Sequence, residues 1–218
     1  MSALALKVRE QRDRLGLKGP RAAEWLVAHR IVLPMAANSW THSEDTEGAD
    51  ALLVARLGTG EFFLEDGAAG TTLKRLSPAL DEPPPGVYPV LREDWAFHLA
   101  GERAHEVLAQ VCNVNFAALP LDSRPLIMTL MIGVAVLVVP QSVAGGAPGG
   151  SAERGGPAER DGPAERGGPA ERGGSAERGG SAERCYRIWC DPSFGPYLSE
   201  SVGQVVVECG GRYTGVSG

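Results

Sequence analysis

No Cys-x-x-Cys pair occurs among the four cysteines, Cys112, Cys185, Cys190 and Cys209. Cys185 and Cys190 stand five apart in a stretch that reads as a strand, so their thiols point to opposite faces and cannot share a zinc ion. Free, mostly buried thiols in a reducing compartment are the reading that remains. Basic charge is also short: 21 Lys and Arg against 27 Asp and Glu leave a formal net charge of −6. With no basic run to neutralise phosphates, a nucleic-acid binder is excluded. Long apolar runs are missing as well. The longest, 126–139, falls short of the roughly 20 residues of a spanning helix and is interrupted by Thr129 and Gly133. The stretch 3–6 is too short for the apolar core of a secretory signal, and charges follow it at once. The expectation is no metal site, no membrane, and a place in the cytoplasm.

Glycine (29 residues) and proline (16) are abundant, chiefly through one tract. From Ser151 to Arg184 the unit Ser/Pro-Ala-Glu-Arg-Gly-Gly repeats five times and ends on a partial sixth copy, with Asp161 replacing one glycine. No unit has a large apolar residue, so nothing offsets the entropy of ordering it. The tract predicts a disordered insert over 144–184, between 1–143 and a closing strand and helix in 185–218.

A second, fainter repetition organises the rest. Leu17-Lys-Gly-Pro-Arg-Ala-Ala-Glu-Trp-Leu26 matches Leu99-Ala-Gly-Glu-Arg-Ala-His-Glu-Val-Leu108 at Leu, Gly, Arg, Ala, Glu and Leu. Each copy sets a glycine before a helical pattern, with Pro20 and Glu102 suited to the first helical position. A hairpin pattern follows each: 51–57 and 61–65 around Gly-Thr-Gly, then 126–131 and 134–139 around Gly133. A capped helix is predicted over 66–76. Strands are predicted over 87–90, 95–99 and 186–190, with Asp191-Pro-Ser-Phe194 opening a last helix. The fold class predicted is α+β, with two similar strand-helix-hairpin-helix halves in one domain.

Candidate chemistry is sparse. Gly58-Thr-Gly60 lies in a hairpin turn, not between a strand and a helix, so it is no dinucleotide fingerprint. His105 and Cys112 are seven apart on one helix, about 10 Å, beyond nucleophile–base reach. His29 and His42 read as solvent-facing. Glu93 and Asp94, adjacent before a strand, are expected to point to opposite faces and so not to act as an acid/base pair. No catalytic residue is named. Among the large aromatics, Phe194 and Tyr197, beside Pro192 and Pro196, are candidates for a partner interface.

Several of these strings carry a family resemblance. Lys18-Gly19-Pro20 with Ala-Ala-x-Trp-Leu, then Leu33-Pro34 and Asn38, resembles the opening of sarcosine oxidase gamma-type chains. Ala55-Arg-Leu-Gly-x-Gly-Glu-Phe-Phe-Leu64 is similar to their hairpin. Asp94-Trp-Ala-Phe-His-Leu-Ala-Gly101 through Cys112, and Arg187-Ile-Trp-Cys-Asp-Pro-Ser-Phe-Gly-Pro-Tyr-Leu198, resemble their central and closing strand–helix pairs. The resemblance implies an aminomethyltransferase-like folate-binding domain. It also implies a non-catalytic subunit gripping the large flavoprotein subunit of a complex that demethylates sarcosine or a related N-methyl amine. FAD, FMN and NAD would sit on the partner subunits, and tetrahydrofolate would accept the one-carbon unit. The Gly-Gly-x-x-Asp-Asp stretch that carries the aminomethyltransferase acid is missing, and so is a Lys-Gly-Cys-Tyr-x-Gly-Gln-Glu motif. If this chain itself holds folate, Asp94 is the carboxylate for the pterin's donor edge and Arg92 the cation for the glutamate tail. The alternative function is a stand-alone tetrahydrofolate-binding one-carbon protein.

Overall fold

In the computed structural model, residues 3–8, 12–43, 51–68, 70–142 and 184–215 are described. Eleven strands and four helices form among them. In chain order they are β1 Ala5–Val8, β2 Arg14–Lys18, α1 Ala22–Ala28, β3 Ser39–Ser43, β4 Leu52–Gly58, β5 Glu61–Glu65, α2 Thr71–Leu76 and β6 Tyr88–Leu91. There follow β7 Trp95–Ala100, α3 Ala104–Val111, β8 Ile127–Met131, β9 Val134–Ser142, β10 Arg184–Cys190, α4 Gly195–Glu208 and β11 Arg212–Thr214. One sheet has the order β11-β1-β7-β10-β9-β8 and the other β3-β4-β5-β2-β6.

The layering follows from strands that are apolar on both faces. In β5, Phe62 and Leu64 pack with Trp25, Leu26, Leu73 and Leu76, so α1 and α2 cover that side. Phe63 faces the other way and meets Trp189, Ala96 and Val139 of the six-stranded sheet. In β10, Tyr186 and Ile188 turn from that interface toward α3 and α4, where Leu108, Leu198 and Val202 close the third core. The order is helices, sheet, sheet, helices. Cys185 and Cys190 are buried and, with side chains alternating along the strand, on opposite faces, as their spacing predicted.

Both predicted hairpins form, β4–β5 and β8–β9. The two matched segments share local geometry. Gly19 has φ +123° and Gly101 +117°, conformations that favour glycine. Arg21 and Arg103 cap the helices with φ −107° and −92°, and each pairs with the glutamate three residues on, Glu24 or Glu106. Pro20 and Glu102 are corrected to turn residues, because each helix begins only at Ala22 or Ala104. The predicted helix 66–76 is likewise shorter. Asp66 stands outside it, and its carboxylate accepts the Leu73 N–H at 2.8 Å, satisfying a donor of the first turn. Short strands β1, β3 and β11 went unforeseen.

The repeat tract lies outside the described residues, save Arg184, which opens β10. Its two flanks pair directly, Arg184 with Ser142, in a ladder running to Cys190 and Val136. Replacing 143–183 by a turn about tenfold shorter is therefore expected to preserve the β9–β10 ladder. Loop closure alone adds about 2 kcal/mol of stability, at about 0.6 kcal/mol per halving; urea unfolding of the two forms measures it.

Candidate functional site

The link between β6 and β7, residues 92–94, is irregular backbone. It follows Leu91 of the five-stranded sheet and precedes Trp95 of the six-stranded one, so it crosses from one sheet to the other. Beside it opens a cleft of about 630 Å³. Leu57 and Glu61 come from the β4–β5 hairpin, Met128 and Leu137 from β8 and β9, and Trp189 to Pro192 from the end of β10.

Arg92, Glu93 and Asp94 all line this cleft. The expectation that Glu93 and Asp94 face opposite ways came from strand alternation, and the link has no ladder partner; Glu93 is exposed and Asp94 half-buried. Arg92 Nη1 lies 3.5 Å from Asp94 Oδ1, and its guanidinium sits over the Phe63 ring, 5.5 Å from the centroid. Two polar atoms are left over, Asp94 Oδ2 and Arg92 Nε, each buried without a hydrogen-bond partner. Such orphans are uncommon in folded proteins. Gly16 makes room for the arginine, since a Cβ there would lie 3.2 Å from Arg92 Nε and 2.9 Å from Val90 Cβ.

The cleft is held by a buried carboxylate. Glu65, fully enclosed on β5, accepts from Arg14 Nε at 2.6 Å, Trp189 Nε1 at 2.6 Å and Arg187 Nη2. Arg187 and Trp189 belong to the opposite sheet, so Glu65 ties the two sheets together. Arg14 also donates through Nη1 to the Asp94 carbonyl, which fixes the link from behind. Burial raises the Glu65 pKa, but Arg187, Arg14 and the indole N–H outweigh it, and the carboxyl titrates below its ordinary range. Cys190, at the cleft wall, is pushed up to about 11 by burial and by the Asp191 and Asp94 carboxylates. It stays a thiol at neutral pH, a poor nucleophile.

The other singled-out residues are dispersed. His105 is exposed, its Nδ1 2.9 Å from the Glu102 carbonyl, while Cys112 is buried. His29 and His42 are corrected from solvent-facing to half-buried. His29 stacks on Trp25, with centroids 4.0 Å apart, and His42 meets Trp40 edge-on. Phe194 and Tyr197 are 50% and 52% exposed, beside Pro192 at the cleft rim. Among the described residues, no group of three or more His, Cys, Asp or Glu is placed to hold a metal ion. No helix among them is long and apolar enough to cross a membrane. Sequence reasoning missed Glu65, Arg14 and Arg187. The available signal was a charge in a strand otherwise apolar on both faces, as in Phe62-Phe-Leu-Glu65 and Tyr186-Arg-Ile-Trp189.

No protein-family model and no curated protein matches the sequence. Among solved structures, the chain is similar to heterotetrameric sarcosine oxidase from Corynebacterium sp. U-96, solved in complex with pyrrole 2-carboxylate. The TM-score is 0.59 at 19% identity, over 97% of this chain and 88% of that one. It is also similar to glycine cleavage system aminomethyltransferase T from Bartonella henselae, with a TM-score of 0.51 at 14% identity. There the match covers 99% of this chain and 48% of the other, so this chain spans about half of that enzyme. The fold is therefore aminomethyltransferase-like.

Proposed function

We propose that this chain is a non-catalytic, gamma-type subunit of a sarcosine oxidase-like flavoenzyme complex. The observation that carries this reading is the near end-to-end match, over 97% of this chain and 88% of the other, to a chain of a heterotetrameric oxidase. The matched strand–glycine–helix segments support a domain of two like halves. An apolar rim supports a partner surface: Leu91 and Met128 at the cleft, with Phe194 and Tyr197 close by, are exposed. The partner is the large flavoprotein subunit; FAD, FMN and NAD belong to the partner chains, and the complex works in the cytoplasm. A tagged chain purified from its host is expected to bring down stoichiometric partners and flavin absorbance. A colourless, lone monomer overturns the subunit role.

A second reading, a tetrahydrofolate-binding one-carbon protein, is favoured by Arg92 and Asp94 lining one cleft. A carboxylate acceptor beside Trp189 and Leu137 fits a flat heterocycle with a donor edge, and Arg92 fits an anionic tail. The bound folate would accept the one-carbon unit; this chain's residues would only hold and orient it. Asp94→Ala is expected to weaken tetrahydrofolate binding by the isolated chain at least about tenfold, the worth of one charged hydrogen bond. Calorimetric titration of both forms checks it, and equal affinities remove Asp94 from the site.

A further inference from the structure

A second cavity, of about 530 Å³, lies on the far side of Arg92, between the start of β2, helix α2 and the end of β6. We infer that it is a binding site for an oxyanion, a phosphate or a small carboxylate, held by Arg12, Lys74 and Arg92. The charges on its walls are one-sided. Arg14 also lines it but is committed to Glu65 and to the Asp94 carbonyl. Arg12 has only a long contact, 3.4 Å, to the Asp66 carbonyl. Lys74 Nζ is 4.0 Å from Asp13 Oδ2, the limit of an ion pair, and both side chains are more than half exposed. Among the described residues, Asp13 is the one acid on the walls, against three uncommitted or weakly committed cations.

Leu15, Leu73 and Leu80 also line the cavity. Ser77 also lines it. The first cleft is the reverse, with Glu61, Glu93, Asp94 and Asp191 around a single cation, Arg92. Arg92 lines both cavities, so an anion in the second draws on the same guanidinium that Asp94 holds at 3.5 Å.

The site stands whether or not the chain binds folate or a flavoprotein, because the probe is inorganic phosphate. The full chain, labelled with nitrogen-15, is titrated with phosphate and separately with glutarate, at ionic strength held constant with chloride. The arginine Nε–Hε resonances are followed. A saturable shift of Arg92 is expected, with phosphate and glutarate competing, and binding about tenfold weaker in Lys74→Gln. Lys74 is 73% exposed on its side chain, so this variant keeps its fold, and Arg12→Gln is the independent second variant. Tighter phosphate assigns a phosphoryl group and tighter glutarate a carboxylate; both support the site. Shifts that chloride reproduces, that never saturate, or that persist unchanged in both variants overturn it.

Discussion

Replacing Glu65 by glutamine is expected to lower the unfolding free energy by about 3–5 kcal/mol, the usual cost of removing one partner from a buried ion pair. The variant leaves Arg187 and Arg14, both nearly enclosed, facing a neutral amide. The amide oxygen still accepts one or two N–H groups, but its NH2 confronts donors. Urea denaturation, with the slope held common between variants, gives the difference. The pH dependence has a definite sign. The folded pKa of Glu65 is lowered, so its contribution is fully present above the unfolded carboxyl value and is lost as pH falls through the folded one. The wild type is therefore expected to lose stability on acidification below the ordinary glutamate range, and Glu65→Gln to lose less over that interval. An equal acid slope in both proteins assigns the loss to other carboxylates. Because the bond joins the two sheets, its rupture also frees the 92–94 link through Arg14. Loss of any ligand from the neighbouring cleft is expected to accompany the loss of stability.

Gly19→Ala carries the second large effect. Its φ of +123° is a region that side chains rarely adopt, and a Cβ would lie 2.2 Å from the Gly86 carbonyl oxygen. Its N–H donates to the Gly60 carbonyl at 2.9 Å, and a Cβ on Gly60 would in turn lie 2.6 Å from the Gly19 oxygen. Three backbones meet at this point with no room for side chains. Strain and overlap together are expected to cost about 2–5 kcal/mol. Gly133→Ala is the internal control. It too has positive φ, +81°, yet nothing lies within 4 Å, so it is expected to show only the backbone penalty of about 1–2 kcal/mol. Thermal midpoints of the two variants separate steric overlap from conformational strain. Equal shifts exclude overlap at Gly19.

Local patterns were legible in the sequence because their causes are local. Both hairpins follow from runs of strand formers around a turn glycine. The Gly-x-Arg-Ala segments before α1 and α3 follow from a positive-φ glycine and an arginine–glutamate pair three residues apart. Helix starts slipped by two residues, since the turn after each glycine consumes what the pattern assigned to the first helical turn. Arg92 and Asp94 were named from the sequence and line one cleft. The walls that make the cleft did not emerge, for they come from strands far apart in the chain. Glu65 was opaque for the same reason: Arg187 is 122 residues away, and no local pattern links them. The short strand β1 owes its structure to partners far away in the chain, β7 on one side and the edge strand β11 on the other, Ala5 with Ala100 and with Arg212, which no segment specifies alone.

The pairing of Ser142 with Arg184 has an evolutionary corollary. The chain leaves the sheet and re-enters it at adjacent points, so the register of β9 and β10 is set by their own ladder and not by what is spliced between them. Each repeat unit is six codons, so slippage during replication adds or removes whole units in frame. Selection on folding is nearly blind to the copy number. Tract length should therefore drift among close kin while the residues on either side of it stay fixed, and the same seam will accept a foreign domain whose ends lie a strand's spacing apart.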